Sequence, residues 1–359
     1  MSRVYLDHNA TTPLRPEARE AMLRAMDVVG NPSSVHAEGR AAKAIVEKAR
    51  GQVAALVGID RNEVVFTSGA TEAAELAVAG HDLTCAHVEH DAVRVHQNYA
   101  LPVDRDGELL PFDTFEGSML AVQGANSETG VLQNNFRWAQ VAWANGAHVL
   151  VDAVQLVGKF RTSVGDLGAD YLMISGHKFG GPKGVGALCL KLGVDVPAQI
   201  RGGGQEMGRR SGTENVIGIA GFGAAAEAAQ RDVEAGKWDR IEKLRNILEN
   251  ALAAASKTTI FVGKGSPRLP NTSCFITPGW KGETQVMQMD LSGFAISAGS
   301  ACSSGKVKAS RVLMAMGYSE ADAASAVRVS LGLDTTEDDV LRFAEVWAQK
   351  LKKHEARAA

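Results

Sequence analysis

Four short apolar runs, each ending in small polar residues, set the strongest limit on how this chain can fold. Glu63-Val64-Val65-Phe66-Thr67 leads into Ser68-Gly69-Ala70-Thr71, and Met119 to Ala125 leads into Asn126-Ser127-Glu128. Ala147 to Val151 stops at Asp152, and Tyr171 to Ile174 stops at Ser175-Gly176-His177-Lys178. Helical apolar spacing appears at Ala18, Met22 and Met26, and again at Trp138, Val141 and Ala142. Strands alternating with helices predict an α/β fold: a mainly parallel sheet with helices on both faces, whose post-strand loops carry the site. The 359 residues favour two domains. We place a large domain at 12–235 and a smaller one at 1–11 and 236–359, with the amphipathic helix from Trp238 to Ala254 at the boundary.

Two of these strand ends carry complementary chemistry. Lys178 sits on a turn after a rigid strand, where its amine can be desolvated and held still for imine formation with an aldehyde cofactor. A solvated lysine in a Gly-rich loop is the plainer reading of the same residues. Asp152 ends the neighbouring strand signal, and parallel strands bring such ends to one side of a sheet. A carboxylate facing an imine-forming lysine is what pyridoxal phosphate requires, because it keeps the ring nitrogen protonated. Capping of a turn is the alternative for Asp152.

Other stretches are individually ambiguous. Ser68-Gly69-Ala70-Thr71 at a helix start could bind a phosphate through backbone N–H groups, or cap the helix. Asn31, after Gly30, is either a ligand or a turn residue. The cluster His87-Val88-Glu89-His90 is a surface loop or the source of an imidazole stacked on a cofactor. Arg201 to Thr213 is an anion-binding or subunit-contact loop, or a linker. Arg328 lies inside a strand, so a buried head would need an anionic partner. Cys302, in a loop of small residues, reads as an accessible thiol or as an inert one, whereas Cys189 and Cys274 read as core thiols.

Several function classes are excluded. The net charge of −3 gives no electrostatic support for nucleic-acid binding. The longest strongly apolar run, Val216 to Ala226, is too short and Gly-rich to cross a bilayer, and the N-terminus resembles no signal peptide, so cytoplasm is expected. The four cysteines lack CxxC spacing, so neither a zinc site nor a disulfide framework is expected.

Taken together, Tyr5-Leu6-Asp7-His8-Asn9-Ala10-Thr11-Thr12, Thr67-Ser68-Gly69-Ala70-Thr71-Glu72, Glu89-His90, Asp152 with Gln155, Ser175-Gly176-His177-Lys178, Arg210-Ser211-Gly212-Thr213 and Gly299-Ser300-Ala301-Cys302 resemble the cysteine desulfurases of the class V aminotransferase group. The resemblance spans nearly the whole chain in motif order. It implies a homodimer of fold type I subunits, each with a smaller α+β domain carrying the Cys302 loop, and pyridoxal phosphate held by Lys178. Asp152 would meet the ring nitrogen, Gln155 the ring hydroxyl, and His90 would stack and move protons. Ala70, Thr71, Ser175 and His177, with Thr213 from the other subunit, would hold the phosphate, and Asn31 and Arg328 the substrate carboxylate. L-cysteine would become L-alanine, leaving a persulfide on Cys302 for a sulfur-acceptor or scaffold protein. Ser127 replaces the ring-contacting Asn usual in the family, Glu75 stands where Asn is common, and the segments 79–87 and 104–117 look shorter. A selenocysteine lyase, or a low-activity scaffold for sulfur-transfer partners, is the alternative.

Overall fold

The computed structural model describes residues 3–299 and 309–358. Seven strands form the main sheet in the order Val64–Thr67, Gly186–Leu190, Tyr171–Ser175, His148–Asp152, Met119–Gln123, Leu83–Ala86 and Gln97–Leu101. The last five run parallel, and Gly186–Leu190 is antiparallel to both its neighbours. The four expected runs are therefore all strands of one sheet, mainly parallel as predicted.

Sheet burial explains the composition of the strands. Alternate residues of Tyr171–Ser175 enter different apolar clusters. Leu172 and Ile174 pack with Ala49, Val53, Phe222 and Ala226, whereas Tyr171 and Met173 pack with Ala73, Leu76 and Ala77. Helices thus cover both faces, and a strand buried on both faces reads as a continuous apolar run. On one side the helices Ala37–Val57 and Val216–Glu234 approach closely. A Cβ on Gly223 would lie 2.5 Å from the Ala49 Cα, so only glycine permits that crossing.

A four-stranded antiparallel sheet, ordered Ser297–Ala298, Ala326–Ser330, Thr272–Ile276 and Ile260–Phe261, forms the second layer system. The first strand, Val4–Tyr5, pairs in parallel with Phe294–Ala295. Val4 and Leu6 share a core with Leu244, Leu248, Phe275, Trp280 and Trp347. The chain start is thereby carried into the layer built from its last third. The amphipathic helix expected from Trp238 runs over Lys237–Ala255. Among the described residues no helix is long and apolar enough to cross a membrane. Cys302 lies outside the described residues.

The Arg201–Thr213 loop is held by a buried ion pair. Arg50 donates to both Glu206 oxygens, at 2.7 and 2.8 Å, and the Phe66 N–H donates to Glu206 at 2.9 Å. Glu206 and Met207 adopt left-handed conformations at φ 47° and 59°, which cost non-glycine residues roughly 1–3 kcal/mol each. Only a strong anchor sustains that strain. Glu206→Gln is therefore expected to lower unfolding stability by about 3 kcal/mol in urea titration. Replacing Arg50 and Glu206 together by apolar residues is expected to cost less than the sum of the single changes.

Candidate active site

A cleft of about 1230 Å³ opens at the carboxyl ends of the parallel strands, where ligands of open α/β sheets bind. Asp152 is the last residue of its strand and pairs in register with Met173, two residues short of the end of Tyr171–Ser175. The turn Gly176–Lys178 follows at once, so register alone brings Lys178 to the Asp152 edge. Both residues line the cleft.

The Lys178 amine donates to the carbonyls of Asn9, at 2.7 Å, and Ala10, at 3.1 Å. Asp152 is buried and accepts the Val154 N–H at 2.9 Å. Burial pushes its carboxyl above the usual range, while His90, the Val154 N–H and Lys178 pull it down. An acid so placed is ready to share a proton with a cationic or protonated ring partner. His90 caps the short helix Asp91–Arg94 and accepts the Ala92 N–H at its Nδ1, 3.1 Å away, so its exchangeable ring proton sits on Nε2.

Small residues prepare one end of the cleft for an anion. Ser68, Gly69, Ala70 and Thr71 line it at the N-terminus of the helix Ala70–Val78, whose first-turn N–H groups have no intrahelical acceptor. Glu72 in that turn accepts the Ser68 N–H at 2.8 Å and Arg210 Nε at 2.8 Å. Ser175 and His177 face the same cleft. His177 meets the Thr11 hydroxyl at 3.2 Å, and burial, reinforced by Lys178 and Lys183, pushes its imidazole down to about 4. It is neutral at physiological pH.

At the other end Arg328 is buried and has the anion its burial demands. It donates to Asp7 at 2.6 Å and to the Ser127 carbonyl at 2.9 Å, and Asp7 also accepts the Ser297 hydroxyl at 2.8 Å. Ser127 thus serves through its main chain. Glu128, half-buried in the cleft wall, accepts the Ser310 hydroxyl.

The structure does not gather every expected residue. Asn31 is exposed, accepts the Ser33 N–H at 2.9 Å in a turn, and is not part of the cleft lining. Thr213 lines a smaller neighbouring cavity shared with Ser68 and Arg210. Gln155 is in the cleft wall, but its amide nitrogen already donates to the Asn9 carbonyl at 2.9 Å. Glu75 is exposed and pairs with His96 at 3.2 Å.

Four polar residues carry weight that the motifs alone do not assign: half-buried Asp7 and buried Asn9 and Glu89, which stand in the quoted motifs without a role, and buried Lys159, which stands in none. Burial pushes the Glu89 carboxyl well above the usual range, aided by Asp152 and opposed by the Gln123 N–H and Arg311. The Lys159 amine is pushed down to about 7 by burial first, then by Lys178 and Arg328. Their signal was weak, because each stands in a stretch that also reads as an ordinary polar turn. Cys85, Cys189 and Cys274 are buried, and burial pushes all three thiols up, Cys274 to about 12. Such thiols are poor nucleophiles.

The model of the class-V aminotransferases matches residues 4–343. A cysteine desulfurase of Cereibacter sphaeroides is 39% identical over 375 residues, covering 96% of this chain and 95% of its own length. The chain belongs to the cysteine desulfurases of the class-V aminotransferase family. Among solved structures, the NifS-like protein of Rickettsia africae superposes with a TM-score of 0.90 at 31% identity, covering 98% of this chain and 99% of the other. A structure titled SspA in complex with cysteine is similar at a TM-score of 0.76 and 27% identity, covering 91% and 98%. The family as a whole depends on pyridoxal phosphate.

Lys159 also shapes the pH dependence of stability. The groups that reach it are Lys178 and Arg328, both cationic, and His8, whose imidazole burial and Lys159 hold down to about 4. The unfolded amine titrates near 10.5 and the folded one near 7, so the unfolded chain binds the extra proton between those values and stability rises with pH across that window. Lys159→Met is expected to raise the melting temperature most at or below pH 7, the gain shrinking towards about pH 10. Scanning calorimetry of both proteins across that range checks it.

Proposed function

We propose that this cleft removes sulfur from L-cysteine, releasing L-alanine and leaving the sulfur as a persulfide on Cys302 for an acceptor protein of iron-sulfur cluster or thio-cofactor assembly. The observation that carries the reading is the placement of Lys178 and buried Asp152 at adjacent parallel strand ends in one cleft. Pyridoxal phosphate fits these residues. An aldehyde partner for the amine, a protonated ring nitrogen for the buried acid and a phosphate for the helix N-terminus make up one molecule, and all three protein groups line one cleft. When bound, it supplies an electron sink for charge developing at the substrate α-carbon.

This chain's own residues perform the rest. The first-turn N–H groups at Ala70 and Thr71, with Ser175 and neutral His177, bind the phosphate, and Thr213 of a second subunit completes that shell in a homodimer. Asp152 keeps a proton at the ring nitrogen. His90, oriented by its Nδ1 contact, covers the ring and offers its Nε2 proton. Gln155 presents an amide N–H towards the ring hydroxyl. Arg328, held by Asp7 and Ser127, turns its remaining guanidinium N–H groups to the substrate carboxylate, with Asn31 as the more distant candidate for the same group.

Lys178 takes the proton from the α-carbon. The Cys302 thiolate then attacks the substrate sulfur: the S–S bond forms as the Cβ–S bond breaks, and one proton delivered to the β-carbon and one returned to the α-carbon by Lys178 complete alanine. Cysteine and protein thiol thus become alanine and protein persulfide with no external oxidant or reductant. The division at residue 235 belongs to this reading, with the second sheet supplying both Arg328 and the strand that leads to the Cys302 loop.

Lys178→Ala is expected to lower alanine formation from L-cysteine by about 10²–10⁴-fold and to abolish the visible band of the loaded protein. Cys302→Ser is expected to keep that band and lose persulfide transfer. Full persulfide transfer by Cys302→Ser, or wild-type turnover by Lys178→Ala, contradicts the assignment.

A further inference from the structure

Lys159 is a buried amine with no carboxylate partner among the described residues, and both its acceptors belong to one residue. It donates to the Gln155 carbonyl at 2.9 Å and to the Gln155 side-chain oxygen at 3.3 Å. An ammonium or amine held this way is unlike the other buried cations of this fold. Arg328 meets Asp7, Arg50 meets Glu206, and Arg268 meets Glu249. Lys159 instead faces Lys178 and Arg328, which disfavour its charge.

The arrangement has a geometric consequence for Gln155. A side-chain amide carries an oxygen that only accepts and a nitrogen that only donates, and it can rotate by a half turn to exchange them. The Asn9 carbonyl can only accept, so it selects the nitrogen, at 2.9 Å. Lys159 Nζ donates, so it selects the oxygen. The amide is set by both neighbours at once, its second N–H hydrogen is left over, and Gln155 is part of the cleft lining. The Asn9 carbonyl is also shared with Lys178, whereas both Lys159 contacts fall on Gln155 itself, one on its main chain and one on its side chain.

We propose that Lys159 is a positioning residue that locks the Gln155 side chain so that its N–H, and never its oxygen, faces the ring hydroxyl of the bound cofactor. The inference rests on the reading of the cleft as a pyridoxal phosphate site. Its action is indirect: Lys159 lies behind Gln155, is 5% exposed, and is absent from the cleft lining. An N–H aimed at the ring oxygen favours its deprotonated form and holds down the pH at which the chromophore loses its proton. Once the lock is lost, the amide samples the orientation that aims its oxygen at that anion.

The test is a pH titration of the visible band of the cofactor-loaded dimer, read as a midpoint, in a double-mutant cycle. Lys159→Met, which keeps the side-chain volume, is expected to raise the midpoint by about 0.5–1 pH unit, a threefold to tenfold change in proton affinity. Gln155→Ala is expected to raise it at least as much, and Lys159→Met placed on Gln155→Ala is expected to add nothing. Lys159→Arg, which keeps the donors, is expected to leave the wild-type midpoint in place. An unmoved midpoint in Lys159→Met overturns the proposal. So does an equal shift with Gln155 absent, since that is the mark of a bare charge effect. If Lys159→Met does not fold, a shifted midpoint in Lys159→Arg overturns it alone. A wild-type protein with no visible band overturns the cofactor reading, and this inference with it, whereas a normal band with an unmoved variant overturns only this inference.

Discussion

The carbonyl of Asn9 carries the geometry of the cleft. A carbonyl oxygen has two lone pairs, and here Lys178 and Gln155 use them. The remaining groups of the same residue reach into the second sheet. Its side-chain nitrogen donates to Thr272 at 2.9 Å, its side-chain oxygen accepts from Asn271 at 3.1 Å, and its N–H donates to the Ser330 hydroxyl at 3.0 Å. Asn9 is 1% exposed, so these bonds form without competition from water. The reactive amine on the large sheet is thereby fixed relative to the strand that carries Arg328.

Around that residue the structure gathers buried and half-buried ionisable groups, of which the buried ones would each be expensive alone. Lys178, Lys159 and Arg328 are the bases, and Asp152, Glu89, Glu128 and Asp7 the acids. Burial pushes the Asp152, Glu89 and Glu128 carboxyls towards their protonated forms, and pushes Lys159 towards its neutral one. Under the proposed function a cofactor phosphate and a substrate carboxylate would bring the anionic charge that such a site attracts. The small residues at Ser68 to Ala70 matter as much as the charges, since they leave backbone N–H groups at the helix N-terminus open to an anion without a side chain between.

Much of this was legible in the chain because the pattern is local. An apolar run that stops at Asp152 or at Ser175-Gly176-His177-Lys178 announces both a strand and what its end presents. Arg328 inside a strand announced that an anion must be found. Its identity could not be read, because Asp7 is 321 residues away in sequence. Lys159 was missed for a related reason: nothing adjacent to a lysine in a Gly-Lys turn reveals that tertiary packing will exclude water from it. The strand Gln97–Leu101 was missed because it is an edge strand with exposed polar positions, and Gly186–Leu190 because a Gly-rich turn hides its start. Glu63 was read into a strand but ends a 3₁₀ turn capped by Asp60 in a reciprocal capping box, leaving the strand at Val64–Thr67.

Two amines, half-buried Lys178 and buried Lys159, lie within electrostatic reach of each other, and the proposed chemistry depends on which of them holds the cofactor. Borohydride reduction of the loaded protein, followed by peptide mass spectrometry, reads that directly. The account predicts the reduced pyridoxyl adduct on the peptide containing Lys178 and an unmodified Lys159. An adduct on Lys159, or on any lysine away from the Asp152 strand end, contradicts it.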